Sequence, residues 1–144
     1  MSRLLSVTGL KTVFPDGTKE FVAVKEISFH LDRGETVGIV GESGSGKSVT
    51  SLSVMRLLTT PGKVASGNIL FHPKQGEAID LLSLPEQSMR LYRGKEIAMI
   101  FQEPMTSLNP VLTCGYQVAE ALRLHLQLDK KVARAKTEEL FELV

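Results

Sequence analysis

The sequence predicts a single α/β domain in which an antiparallel β-subdomain leads into a strand–loop–helix unit. Three patterns support this fold class. Short apolar runs alternate with turn residues near the start, one β-branched run stops at a glycine-rich loop, and helical periodicity appears towards the end. The chain has 144 residues, of which 42% are hydrophobic, and this is enough for an ordinary hydrophobic core.

The N-terminal segment, residues 1–34, consists of two predicted hairpin strands. Apolar runs cover Leu4 to Leu10 and Phe21 to Leu31, and the turn residues Pro15-Asp16-Gly17 separate them. A second turn, Asp32-Arg33-Gly34, closes the segment. Strand-like runs bounded by Gly, Pro and Asp are typical of hairpins.

The strand–loop–helix unit follows directly. Thr36 to Val40 is rich in β-branched residues and stops at Gly41, which predicts a short strand. A helix is predicted over Lys47 to Leu58, and the residues Thr59-Thr60-Pro61-Gly62 would end it.

Two more strands are predicted beyond this helix. They cover Ser66 to Phe71 and Ile97 to Phe101, and a polar loop at His72 to Glu77 follows the first of them. Pro104 and Pro110 then bracket a loop.

The last part of the chain predicts two amphipathic helices. The apolar positions are Val118, Leu122 and Leu126 in the first helix and Ala133, Leu140, Phe141 and Val144 in the second. The second helix reaches Val144 without a glycine or a capping signal. We therefore expect the chain to be a fragment of a longer polypeptide. In the isolated fragment, the helix at Lys130 to Val144 would fray, because the face against which it should pack is largely missing.

Charge and composition exclude several classes of protein. The 17 Lys and Arg residues nearly balance the 16 Asp and Glu residues, and this net charge of +1 argues against nucleic acid as a partner. The single cysteine, Cys114, permits no internal disulfide and suits a reducing compartment. No apolar run has the length of a membrane span and the start lacks the apolar stretch of a signal peptide, so we expect neither a membrane span nor export.

The glycine-rich loop carries the most specific motif in the chain. Gly41 to Ser48 match G-x-x-x-x-G-K-[ST] at every specified position, between a predicted strand and a predicted helix. The glycines at 41, 44 and 46 permit backbone conformations that bring amides around phosphate oxygens. The N-terminus of the next helix directs a partial positive charge to the same place. The motif therefore predicts a site for nucleotide phosphates.

Individual loop residues have distinct roles in this interpretation. Lys47 would contact the β- and γ-phosphates, and the Ser48 hydroxyl would bind Mg²⁺. Ser43 and Ser45 would support the phosphates or solvate the loop rather than act as nucleophiles. The predicted contacts in the loop are Gly41, Ser43, Gly44, Ser45, Gly46, Lys47, Ser48 and Val49.

Other interpretations of the loop fit less well. A dinucleotide fingerprint fails because Val49 stands where a third Gly or Ala is required. A GTPase would need N-K-x-D and D-x-x-G strings, and neither occurs. A flexible Gly/Ser linker is disfavoured by the flanking strand and helix. A phosphate-loop kinase stays open as an alternative, although such kinases usually carry the loop close to the N-terminus and 40 residues precede Gly41 here.

Two longer stretches resemble one protein family. They run from Gly34 to Thr50, which includes ESGSGKSVT, and from Ile97 to Pro110, which includes FQEPMTSLNP. Both look like the ATP-binding subunits of ABC importers, and more narrowly like the dipeptide, oligopeptide, glutathione and nickel branch. The resemblance implies an α/β, ABC-type P-loop NTPase core with an N-terminal antiparallel β-subdomain, truncated at the start of the helical subdomain. It implies a lead-in at 1–34, a core at 35–110 and the start of the helical subdomain at 111–144.

The family's residue roles carry over to matching positions. Phe14 lies where the family places an aromatic ring that stacks on adenine, and a strand-end core residue is the alternative. Gln102 matches the Q-loop glutamine, which in the family contacts Mg²⁺ or the attacking water, and a capping or solvent-facing glutamine is the alternative. Val24 either packs against the base or fills the core. The implied ligands are ATP and Mg²⁺, the metal being held by Ser48 and Gln102.

The family completes its site with elements that this sequence lacks. There is no Leu-Ser-Gly-Gly-type signature, no apolar run that ends in Asp-Glu (the Walker B carboxylates), and no switch histidine. We therefore assign no catalytic residue within the chain. We also expect that the chain alone does not hydrolyse ATP at a useful rate.

The resemblance implies a function for the parent protein. It would be an ABC-type ATPase that couples ATP binding and hydrolysis to import of peptides or similar small solutes. Its partners would be a second ATP-binding subunit, transmembrane permease subunits and, indirectly, a periplasmic or extracellular substrate-binding protein, at the cytoplasmic face of the inner membrane. A nucleotide-binding but hydrolytically inert fragment and a phosphate-loop kinase are the alternatives.

Overall fold

A computed structural model describes residues 2–102 and 107–144 of the chain. The strands are β1 (Arg3–Asp16), β2 (Lys19–Asp32), β3 (Lys63–Phe71) and β4 (Ile79–Asp80). The helices are α1 (Lys47–Met55), α2 (Glu86–Tyr92), α3 (Cys114–Leu126) and α4 (Lys130–Glu142). The chain divides into two compact units, the first ending at Met89 and the second running from Arg90 to Val144.

The first unit is built on an antiparallel sheet with the strand order β2-β1-β3-β4. β1 and β2 form the predicted hairpin, with Asp16 opposite Lys19 at the turn and Arg3 opposite Asp32 at the far end. β3 covers the predicted strand at Ser66 to Phe71 and begins three residues earlier, at Lys63. The buried apolar residues of the sheet are Val7, Leu10, Val13, Val24, Ile69 and Phe71.

Helix α1 begins at Lys47, as predicted, and is shorter than predicted. It ends at Met55 because Arg56 adopts a left-handed conformation (φ +52°) and the N–H of Leu57 bonds back to the Leu52 carbonyl. The Arg56 guanidinium donates to the carbonyls of Leu81 and Leu84, which holds the helix end against the segment after β4. A helix of nine residues depends on such packing for its stability.

Two predicted strands are absent from the described structure. Residues 36–40 have no strand assignment, and Ile97 makes one isolated parallel bridge with Arg93 rather than starting a strand at 97–101. A strand requires a neighbour that supplies its hydrogen bonds, and within the described residues neither segment has a ladder partner. Ile100 is 97% exposed, so the burial predicted for the strand at Ile97 to Phe101 was also wrong for this side chain, and Val40 is 93% exposed.

The second unit contains the two predicted C-terminal helices. Thr113 caps α3 by accepting a hydrogen bond from the Tyr116 amide, and Asp129 caps α4 by accepting from the amides of Lys131 and Val132. α4 ends at Glu142 rather than at Val144. The short elements β4 and α2 were not predicted, because two and seven residues give too little periodicity to detect.

Within residues 2–102 and 107–144, no helix is long and apolar enough to cross a membrane.

Candidate functional site

The glycine-rich loop folds into a tight turn at the start of α1. The Ser45 amide donates to the Glu42 carbonyl at 3.2 Å, and Gly44 and Gly46 have positive φ angles of +80° and +92°. A side chain at Gly41 would meet Ser45, because an ideal Cβ there lies 2.6 Å from the Ser45 hydroxyl oxygen. The predicted need for glycine at these positions therefore has a local geometric cause.

Strand β2 holds the end of the loop in place. A Cβ built on Gly46 would lie 2.4 Å from the backbone oxygen of Ala23 and 3.5 Å from a methyl carbon of Val24. Gly46 thus permits both the left-handed backbone and the close approach of a neighbouring strand. Val24 is buried at this contact, which places it beside the final glycine of the motif.

The Lys47 side chain folds back into the loop. Its ammonium donates to the carbonyls of Gly41 at 2.8 Å and Glu42 at 2.7 Å, and lies 3.5 Å from the Ser45 hydroxyl. A positive charge is therefore held inside the turn, where the loop backbone fixes its position. Ser43 and Ser45 are exposed on the same turn.

The first turn of α1 presents donors to the same region. Its N-cap is Gly46, which offers no side-chain cap, and no acidic residue lies in the first turn. The first amides of a helix have no partner within the helix, so they are free to bind an anion. Thr50 fixes the loop to the helix by donating to the Gly46 carbonyl from its amide and its hydroxyl, at 2.8 and 3.0 Å. Ser48 is exposed beside Lys47, and Val49 is half-buried.

These features fit a phosphate ligand. The backbone cradle that Cβ atoms would fill, the ammonium of Lys47 and the uncapped helix start are all suited to oxyanions. The Ser48 hydroxyl is an oxygen donor of the kind that Mg²⁺ accepts. The structure thus brings together the predicted loop residues from Gly41 to Val49.

Phe14 lies near the end of β1, and its ring packs against Gly62 in the turn after α1. A Cβ on Gly62 would be 2.5 Å from the ring carbon Cε1 and 2.9 Å from Cζ. Phe14 is half-buried, so part of the ring is accessible. Its role toward adenine stays a prediction.

Gln102 is exposed and belongs to the second unit. It follows a segment that is not a strand in this structure. The next residues of the predicted loop, 103–106, include Pro104 and lie outside the described residues. Its role toward Mg²⁺ therefore also stays a prediction.

Sequence reasoning missed a pair of buried hydroxyl groups beside the site. The Thr12 and Ser53 side-chain oxygens lie 2.8 Å apart, and both residues are fully buried. They join β1 to α1 across 41 positions of sequence. Neither residue belongs to a motif, so no signal in the sequence alone pointed to them.

Comparison with known proteins decides the family. The family model described as ABC transporter matches residues 24–143 of this chain. The chain belongs to the ABC transporter family. The match begins within β2, at Val24, and covers the glycine-rich loop and the four helices that the structure describes, so the resemblance seen in the two sequence stretches is confirmed.

Curated members of the ABC transporter family are similar to this chain along nearly its whole length. It is 48% identical over 143 residues to the glutathione import ATP-binding protein GsiA of Pectobacterium atrosepticum, covering 99% of this chain and 23% of that protein. It is 49% identical over 145 residues to the oligopeptide transport ATP-binding protein AppD of Bacillus subtilis, covering 100% of this chain and 43% of that protein. The chain thus spans less than half the length of these relatives.

A solved structure supports the fold assignment. The ATP-binding cassette MJ0796, in a dimeric post-hydrolysis state bound to ADP and Pi, superposes with a TM-score of 0.76 at 22% identity, over 94% of this chain and 55% of that chain. The predicted ABC-type fold with an N-terminal antiparallel sheet is therefore confirmed.

Proposed function

We propose that this chain is the nucleotide-binding part of an ABC importer's ATP-binding subunit and that it binds ATP with Mg²⁺ at the loop from Gly41 to Ser48. The observation that carries the proposal is the position of Lys47, whose ammonium is held inside the glycine turn by two backbone carbonyls. On binding, the phosphate oxygens would accept from this ammonium and from the first amides of α1.

The other residues complete the proposed site. Ser48 would ligate Mg²⁺ and Phe14 would stack on adenine. Val24 is buried and would fill the core, which is the second of the two roles considered for it. Gln102 would contact the Mg²⁺ or the attacking water. We retain the proposed subdomains at 1–34, 35–110 and 111–144, with the phosphate site in the second of them.

The proposed substrates of transport are peptides or similar small solutes. Support comes from relatives whose names state glutathione import and oligopeptide transport. In the complete protein we propose pairing with a second ATP-binding subunit and contact with permease subunits at the cytoplasmic face of the inner membrane. A substrate-binding protein would act indirectly. The dimeric state of the cassette MJ0796 supports the pairing.

Hydrolysis is proposed for the parent protein rather than for this chain alone. Phosphoryl transfer requires a group that orients the attacking water and further ligands that hold Mg²⁺. The sequence contains no apolar run ending in Asp-Glu to supply the family's carboxylates. We therefore propose that these 144 residues bind ATP and do not turn it over.

A titration with a fluorescent ATP analogue and Mg²⁺ tests this proposal. The native chain and Lys47→Ala are compared, and phosphate release is followed in the same samples. Lys47→Arg serves as a control that keeps the charge and changes its geometry. The proposal predicts saturable binding by the native chain, a loss of at least about tenfold in affinity for Lys47→Ala, and no phosphate release.

Each other outcome rejects a specific part of the proposal. Equal binding of the ATP analogue by the native chain and by Lys47→Ala would show that the loop is not the phosphate site. Steady phosphate release that Lys47→Ala abolishes would contradict the inert state of the chain and favour the kinase alternative, which transfer to an added acceptor would identify.

A further inference from the structure

The buried Thr12–Ser53 pair lies between the two elements that the proposed function assigns to nucleotide binding. Thr12 is on β1, two residues before Phe14. Ser53 is on α1, which starts at Lys47. Their side-chain oxygens are 2.8 Å apart, and both residues have no exposed surface.

The direction of the hydrogen bonds follows from the second partner of Ser53. Its hydroxyl donates to the Val49 carbonyl at 2.7 Å, which uses the one hydrogen that the group has. Ser53 must then accept from the Thr12 hydroxyl. The result is a continuous chain of bonds from β1, through Ser53, to the first turn of α1, where Val49 directly follows Ser48.

A polar pair in this place differs physically from an apolar contact. Valine has the shape of threonine and would fill the same space without the cost of burying hydroxyl groups. Apolar packing does not set direction, so it would tolerate small sliding of α1 along the sheet, whereas a satisfied hydrogen bond has a required distance and angle. The pair is therefore a directional link between α1 and β1, in addition to the contacts that Arg56 and Gly46 make.

We propose that Thr12 and Ser53 are positioning residues that set the distance between Phe14 and the phosphate loop, and so match the site to the length of a nucleoside triphosphate. This inference rests on the proposed function, because it takes Phe14 and Lys47 as the two ends of the ligand. The pair acts only on ligands that reach both ends. A ligand made of phosphate alone contacts the loop and not the ring.

The test compares two probes, ATP and inorganic tripolyphosphate, each with Mg²⁺, by calorimetric titration of the whole chain. The variants are Thr12→Val, Ser53→Ala and the double substitution. For Thr12→Val the expected loss in ATP affinity is about fivefold, which lies within the range of interaction energies between residues of one hydrogen-bond network. The affinity of the same variant for tripolyphosphate should stay within about twofold of the native value. The double variant should lose no more ATP affinity than the larger single loss.

Ile69→Val is the control for general destabilisation. It removes one methylene from a fully buried residue of β3 and leaves the hydroxyl pair intact. Its ratio of ATP to tripolyphosphate affinity should equal that of the native chain. A purely structural role of Thr12 and Ser53 would weaken both probes together or neither, and either result would overturn the inference.

Lys47→Ala and Phe14→Ala separate failure of this inference from failure of the proposed function. If Lys47→Ala abolishes binding of both probes and Phe14→Ala weakens ATP alone, while Thr12→Val changes nothing, only the positioning role is rejected. If the native chain binds neither probe, or Lys47→Ala binds like the native chain, the proposed site and the positioning role are rejected together.

Discussion

At the scale of single residues, Gly46 connects the β-subdomain to the phosphate loop. Its φ of +92° is unfavourable for any residue with a side chain, and its α-carbon faces the Ala23 backbone oxygen. Two constraints therefore act on one position. Gly44 has a similar φ of +80° and open space around it, so it carries only the first constraint.

This contrast gives a matched pair of substitutions. Gly44→Ala should lower the free energy of unfolding by about 1 kcal/mol, the cost of a left-handed residue with a side chain. Gly46→Ala should cost at least about 2 kcal/mol, because the added Cβ also displaces β2 from the loop. Denaturant unfolding of both variants measures the difference. Equal losses would show that the contact with Ala23 does not constrain the loop.

Some features of the phosphate loop could be predicted from the sequence, and others could not. The requirement for glycine and the position of Lys47 were predictable, because the phosphate-loop pattern encodes local backbone geometry. The Thr12–Ser53 pair and the contact between Phe14 and Gly62 were not, since they depend on which distant segments the fold brings together. Neighbouring residues in the sequence determine local backbone geometry, but they do not determine which distant residues come into contact.

At the scale of elements, the end of α1 depends on Arg56. Arg56 adopts a left-handed conformation that is unfavourable for a residue with a side chain and that glycine usually adopts at this position. Its side chain donates hydrogen bonds to the carbonyls of Leu81 and Leu84. The predicted end at Leu58 was wrong because no Gly or Pro marks position 56. The side chain, rather than the backbone preference, explains the early stop.

Substitution at Arg56 separates these two contributions. Arg56→Ala keeps the unfavourable conformation and loses both charged hydrogen bonds, so the free energy of unfolding should fall by about 2 kcal/mol. Arg56→Gly loses the same bonds and relieves the backbone, so it should be about 1 kcal/mol more stable than Arg56→Ala. Thermal unfolding gives both values. An alanine variant as stable as the native chain would contradict this account.

Helix α4 depends on its N-cap in a similar way. Asp129 accepts from the amides of Lys131 and Val132, and a helix of 13 residues is marginal without such support. Asp129→Ala should destabilise the second unit by about 1 kcal/mol, whereas Asp129→Asn should keep most of the cap. Circular dichroism during thermal unfolding measures both. Identical curves for Asp129→Ala and the native chain would show that the cap does not support α4.

At the scale of the whole molecule, two apolar segments have no ladder within the described residues. The β-branched run at 36–40 and the run at 97–101 have strand-like sequences but no strand structure. Their composition predicted strands, and continuous apolar runs of this kind usually have neighbours in a parallel sheet. The curated relatives are more than twice as long as this chain, and we propose that their additional residues supply those neighbours.

Hydrogen exchange tests this reading of the two segments. Amides at 37–40 should exchange at least about a hundredfold faster than those in the paired strands β1 and β3, because no ladder protects them. A longer chain that includes the additional residues of those relatives should show slower exchange at these amides. Strong protection of these amides in the chain alone would contradict the absence of pairing.

The central claim is that the glycine-rich loop binds the phosphates of ATP. The most direct test is a titration of the isotope-labelled chain with Mg²⁺ and ATP, followed by nuclear magnetic resonance of the backbone amides. The account predicts that the largest shifts fall on the amides of Gly44 to Ser48 and disappear in Lys47→Ala. Saturable shifts concentrated in α3 and α4, with the loop amides unchanged, would contradict it.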